Sequence, residues 1–182
     1  KPGSRELVFE TLQPAIRFTK EECLDLPDVM YQYRSASMTS QQQKFYKILK
    51  EDLLIKAAGE EVSAVNAAAK LSKLLQLSGG AVYTDTGEVL EFDVKPRLDI
   101  LNEILEEASH KVIVFVPFKH TIRIVNEHIK KGGYTTEIIN GETSAFNRGE
   151  IFNRFQTTPD PHVLVIQPQA ASHGVTLTAA DT

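Results

Sequence analysis

Residues 111–166 read KVIVFVPFKH TIRIVNEHIK KGGYTTEIIN GETSAFNRGE IFNRFQTTPD PHVLVI, and this stretch decides the fold. Val112–Val116 is an uninterrupted β-branched and aromatic run closed by Pro117, the pattern of a strand buried on both faces. Lys119 to Lys131 follows with Ile122, Val125 and Ile129 at helical spacing, and Gly132-Gly133 stops it. Tyr134–Asn140 is a second strand, ending at Gly141. From Ser144 to Phe155 the apolar Ile151, Phe152 and Phe155 share a helix face, with Thr143 or Ser144 available as the N-cap. Pro159 and Pro161 break this helix, and residues 162–166 form a third strand. Strand, helix, strand, helix, strand at this spacing predicts an α/β fold: a parallel sheet with right-handed crossovers, flanked by helices.

Upstream, Leu98, Leu101, Ile104, Leu105 and Ala108 give an amphipathic helix that opens at Pro96, a favoured first-turn proline. The first half of the chain reads differently. Val29, Tyr31 and Tyr33 alternate with Gln32 and Arg34, which predicts a half-exposed strand. Thr39-x-x-Gln42 is a capping box, and Phe45, Ile48, Leu49 and Leu53 stripe the helix behind it. Val62 to Leu77 is helical and ends at Gly79-Gly80. Asp85-Thr-Gly87 between Val82-Tyr83 and Val89-Leu90 signals a small hairpin. The division expected is a connecting and helical insertion segment with its hairpin over 1–94, and an α/β lobe over 95–182.

Composition narrows the function classes. With 42% apolar and 24% charged residues in 182, wholesale disorder is excluded. One cysteine, Cys23, excludes an internal disulfide framework and a cysteine-based zinc site; beside Leu24 it reads as a small packing side chain. No apolar run nears the ~18 residues of a membrane helix. The expected location is a reducing cytoplasm, away from membranes. A net charge of −4 excludes a uniformly basic nucleic-acid coat, yet residues 111–154 carry 7 basic against 4 acidic side chains. A solvated helix face accounts for that local excess as readily as a nucleic-acid surface does.

Several chemistries are missing. There is no G-x-x-x-x-G-K-[ST] phosphate loop, no G-x-G-x-x-G after a strand and no G-x-S-x-G. The five histidines show no paired metal spacing with carboxylates. What remains is the small, polar loop after the third strand, Gln167 to Asp181, placed where open parallel sheets form their ligand crevice.

The order of elements is more specific than any one of them. Lys95-Pro-Arg-Leu-Asp, the strand at 111–116, Ile139-Asn-Gly-Glu-Thr-Ser, Arg148 with Phe155, and Gln169-Ala-x-x-x-Gly-Val-Thr-Leu-Thr-Ala-Ala-Asp181 together resemble the second RecA-like lobe of the Swi/Snf-type ATPases of helicase superfamily 2. Arg17-Phe-Thr-Lys20, Leu26-Pro27 and Met38-Thr-x-x-Gln-x-x-Phe-Tyr46 resemble the stretch joining the two lobes, and the hairpin resembles one in bacterial and phage members. Such a member would sit in the cytoplasm of a bacterial or phage-infected cell, with nucleoid association open to it.

The resemblance implies residue roles. Gly174 matches the motif V glycine that lies near ATP, Thr176 stands where the family has asparagine, and Gln169, Ala171 and Ser172 depart from the pattern. The implied ATP-cleft and coupling loop is Gln169, Ser172, His173, Gly174, Thr176 and Asp181. The implied nucleic-acid residues are Lys119, Arg123, Thr143 and Arg148, with a surface or intradomain role for Arg148 and core packing for Phe155 as the plain alternatives. ATP and Mg2+ are implied for the full-length protein, which would be a DNA-dependent ATP hydrolase, with duplex DNA and the first RecA-like lobe as partners. The phosphate loop would lie in that first lobe, and the Arg-x-x-Arg finger motif beyond Thr182. The chain is therefore expected to be a fragment, inactive alone and holding no metal or cofactor. An RNA helicase lobe and a non-catalytic nucleic-acid-binding module of the same fold are the alternatives.

Overall fold

The computed structural model describes residues 3–15, 29–59, 64–84, 86–171 and 175–182. The chain forms two compact units, Lys1–Arg34 and Ser35–Thr182. In the first, helix α1 (Ser4–Thr11) follows Gly3, whose φ of 79° suits glycine, and none of the helix's side chains is buried. Val29–Arg34 is not the strand expected: it has no regular structure, and Tyr31 and Tyr33 are 79% and 92% exposed. Alternation makes a strand only where a neighbour takes the backbone bonds and a core takes one face. Among the described residues this stretch has neither. The Arg17–Lys20, Cys23 and Leu26-Pro27 readings lie outside the described residues.

The second unit opens with a helical layer. Its first helix, α2 (Ser40–Gly59), starts at the expected capping box. The Thr39 N–H donates to Gln42 Oε1 at 3.2 Å, and the Gln42 N–H donates to Thr39 Oγ1 at 3.4 Å. Gln42 is buried, and its Nε2 also donates to the Leu77 carbonyl at 3.0 Å, near the end of α3 (Ala64–Gly79). Gly80, at φ 105°, turns the chain out of α3, where a β-carbon would fall 2.8 Å from Val94 Cγ1. Only glycine fits there. The hairpin strands β1 (Ala81–Tyr83) and β2 (Val89–Glu91) pair antiparallel as expected, although Asp85 lies outside the described residues. Leu77, Val82 and Phe92 form the layer's core, backed by Tyr46 and Leu49.

The α/β part follows in the predicted order: α4 (Lys95–Glu107, with Pro96 in its first turn), β3 (Val112–Phe115), α5 (Lys119–Lys131), β4 (Thr136–Ile139), α6 (Ala145–Thr157) and β5 (Val163–Ile166). Ser144 is the N-cap of α6, its side chain accepting from the Asn147 N–H at 3.2 Å. The three strands are parallel in the order β3-β5-β4. Burial corrects one expectation. The strand covered on both faces is β5, all four of whose side chains are buried, whereas β3 is outside it and its Phe115 is 60% exposed. Val163 and Val165 face a core with Leu105, Val112, Ile122 and Ile129, while Leu164 and Ile166 face the other with Ile139, Ile151 and Phe155. Along the outer side of β3, Lys111 pairs in parallel with Ala180, and the Ile113 N–H donates to the Thr182 carbonyl at 2.9 Å.

Candidate functional site

Three loops leave the carboxyl ends of the strands, where a parallel sheet gathers its ligand contacts. One side chain joins them. Gln167, just past β5, donates from Nε2 to the Pro117 carbonyl at 3.3 Å and accepts at Oε1 from the Gly141 N–H, also at 3.3 Å. Its own N–H donates to the Ile139 carbonyl at 2.8 Å. The loop after β4 is then folded from within. Asn140 Oδ1 accepts from the Glu142 N–H at 2.9 Å, and Thr143 Oγ1 accepts from the Asn140 N–H at 3.1 Å. Arg148 Nη2 reaches back from α6 to the Thr143 carbonyl at 3.2 Å, while its Nε is enclosed with no hydrogen-bond partner among the described residues. In this state Thr143 and Arg148 build the turn, Arg148 through a single Nη2 bond.

Most of the basic residues of 111–154 have partners. Lys119, in the first turn of α5, has its Nζ 2.7 Å from Glu142 Oε1 across the two loops. A lysine at a helix start opposes the helix dipole, and this carboxylate offsets that cost. Arg123 and His120 both meet Glu91 Oε1 on the hairpin, and Tyr83 sets its ring edge-on to His120 at 6.3 Å. The bond to His120, and next that to Arg123, hold the Glu91 carboxyl below its ordinary pKa. Arg154 pairs with Glu137 at 2.8 Å. Lys111 caps the end of α6, donating to the Phe155 and Thr158 carbonyls with its ammonium over the Phe155 ring. The local positive excess is thus largely committed to holding elements together.

Gln169 is exposed in a short 3-10 turn (Pro168–Ala170), and Thr176 is exposed beyond it. Ser172, His173 and Gly174 lie outside the described residues. Asp181 is not brought to this face: it lies beside Ala180 in register with Lys111, at the amino end of β3, where its Oδ2 is 2.7 Å from His110 Nδ1. Gln156 ties the returning segment to α6, accepting from the Ala179 N–H at 2.9 Å and donating to Thr178 Oγ1 at 3.1 Å. Sequence reasoning passed over Gln167, Glu142 and Gln156. A long amide at the end of the central strand, between two polar loops, was the available signal for Gln167. Gln169 and Thr176 present exposed polar side chains, and no cluster of three His, Cys, Asp or Glu that could hold a metal occurs among the described residues.

Comparison with known proteins agrees with this architecture. Residues 96–182 match the family described as the helicase conserved C-terminal domain. An uncharacterized ATP-dependent helicase of Mycoplasma genitalium is 27% identical over 182 residues, covering 97% of this chain and 17% of that protein. The chain therefore spans about a sixth of that relative's length. The C-terminal domain of a Sulfolobus solfataricus SWI2/SNF2 ATPase superposes with a TM-score of 0.65 at 25% identity, over 80% of this chain and 66% of that one. The core of a SWI2/SNF2 ATPase from the same organism, in complex with dsDNA, gives 0.63 at 24% over 80% of this chain and 32% of that one. No helix among the described residues is long and apolar enough to cross a membrane. Motif order, the parallel sheet and these matches converge: residues 96–182 match the helicase conserved C-terminal domain, and the fold is similar to that of the C-terminal domain of a SWI2/SNF2 ATPase.

Proposed function

We propose that this chain is the second lobe of a DNA-dependent ATPase, with residues 1–94 as connecting and insertion segment and 95–182 as the RecA-like lobe. ATP would bind between this lobe and a first one, with hydrolysis opening and closing the pair along duplex DNA. The observation that carries the reading is the convergence of three polar loops at the carboxyl ends of β3, β4 and β5, tied by Gln167. The neighbour of like fold seen on duplex DNA supports the choice of ligand.

In such a cleft the chemistry is mostly positioning and charge stabilisation, with parts from both sides. Bound ATP supplies the phosphoryl group. This chain's share is to meet the nucleotide with Gln169, Thr176 and the loop between them, and the backbone with Lys119 and the start of α6. Lys119 is the residue with a charge to give: exchanging Glu142 for a phosphate leaves the ammonium paired throughout. Arg123 acts at one remove, by fixing α5 to the hairpin.

The deciding experiment is nucleotide hydrolysis by the full-length protein with duplex DNA or RNA added. Stimulation by DNA supports the reading. Stimulation by RNA alone would make this an RNA helicase lobe, and no hydrolysis would make it a binding module.

A further inference from the structure

We propose that Gln167 is the positioning residue that sets the spacing of the two backbone-binding loops, so that Lys119 and the first turn of α6 engage neighbouring phosphates together. The proposal rests on the nucleic-acid reading above and adds the residue that makes two surfaces one. The loops after β3 and β4 start from strands that do not pair with each other, since β5 lies between them. No backbone hydrogen bond joins Pro117–Lys119 to Gly141–Thr143 among the described residues. Beyond the strand ends that β5 fixes, direct ties between the two loops are made by side chains, and two reach across: the Lys119–Glu142 pair and Gln167.

These two differ in kind. The ion pair is exposed, with side chains 49% and 72% accessible, and must open when a phosphate replaces the carboxylate. Gln167 is neutral and bonds main-chain groups on both loops rather than the Lys119 ammonium, so replacing Glu142 by a phosphate at Lys119 does not require it to open. It is also anchored at both ends of its own backbone, through its N–H on Ile139 and its carbonyl accepting from the Ala170 N–H at 2.8 Å. The second of these opens the 3-10 turn that carries Gln169. A change in that turn therefore reaches both loops through one residue.

The test uses this chain, duplex DNA and two variants. Gln167→Leu keeps the bulk and loses both bonds, whereas Gln167→Glu keeps the acceptor for the Gly141 N–H and loses the donor to Pro117. Amide exchange at Gly141 should speed up in Q167L and stay slow in Q167E. The log–log salt slope of DNA binding should flatten in Q167L by about 0.9, one phosphate contact. Adding K119A to Q167L should then change nothing further, because the contact is already lost. Unchanged Gly141 exchange in Q167L, or effects of Q167L and K119A that simply add, would overturn the proposal while leaving DNA binding intact. Absence of salt-dependent binding by the unmodified chain would instead overturn the nucleic-acid reading and this proposal with it. Exchange at the β5 amides reports whether Q167L folds, and a global rise there with Q167E unaffected in every assay would assign Gln167 to stability alone and count against the proposal.

Discussion

Replacing Glu142 by glutamine is expected to tighten binding of duplex DNA. The carboxylate lies 2.7 Å from the Lys119 ammonium, so it holds the position a backbone phosphate would take. At that separation two unit charges attract by about 1.5 kcal/mol in a water-like dielectric. Both side chains are about half exposed or more, and screening and lost side-chain freedom reduce such pairs to roughly 0.2–1 kcal/mol. An arriving phosphate must first break this contact. Removing the competitor should therefore raise affinity by a factor of about 1.4 to 5 at 25 °C. A second signature is independent of that factor. A lysine already neutralised by Glu142 releases little counterion, whereas a free one does, so E142Q should steepen the salt slope by up to about 0.9. Fluorescence anisotropy with a labelled duplex between about 50 and 200 mM salt reads both quantities. The control is E142Q combined with K119A, in which the gain should vanish. Equal or weaker binding by E142Q, or a gain that survives in K119A, would refute the argument that Glu142 acts by occupying Lys119.

Three other outcomes are expected. This chain alone should release no phosphate from ATP above a protein-free blank, because its sequence has no phosphate loop and no arginine after Arg154. Gln42→Leu should lower the urea-derived stability by about 2 kcal/mol, since it removes a buried hydrogen bond to the Leu77 carbonyl, which keeps only the Gly80 N–H, and opens the capping box. A loss below about 0.5 kcal/mol, the usual surface level, would show that water replaces the amide. The third concerns acid. Glu91 has a folded pKa below its unfolded value of 4.5, so its stabilisation is complete above that value and is lost as pH falls through the lower one. Between about pH 5 and 3 the unfolding midpoint of the unmodified chain should fall more than that of E91Q, and parallel curves would show the hairpin contact carries no net energy.

Element types were legible because periodicity and punctuation are local. Ile122, Val125 and Ile129, Pro96, the Thr39–Gln42 box and Ser144 each act within a few residues of themselves, and each does what its pattern predicts. Strand order was not legible. Val112–Val116 and Val163–Ile166 are equally apolar runs, and only the pairing with β4 reveals that the second is interior. The same limit governs the site. The loop positions followed from the topology, but Lys119 meets Glu142 from 23 residues away and Arg123 meets Glu91 from 32. A charge count along the chain cannot see such partners, so the apparent basic surface is smaller than its composition suggests.

The position of β5 also bears on how the chain is made. The ribosome releases β3 first, then β4, and neither has a backbone partner in the other. Both wait for Val163–Ile166, which pairs with one on each side over contacts spanning up to about fifty residues. Until that segment emerges, the apolar faces of α5 and α6 have no sheet between them, and the half-made lobe is a candidate for chaperones or proteases. Chains cut before Val163 should accordingly be digested through residues 112–139 as readily as an unfolded polypeptide. Folding of the sheet then awaits β5, the third of its strands to emerge and the one that completes both halves of the core.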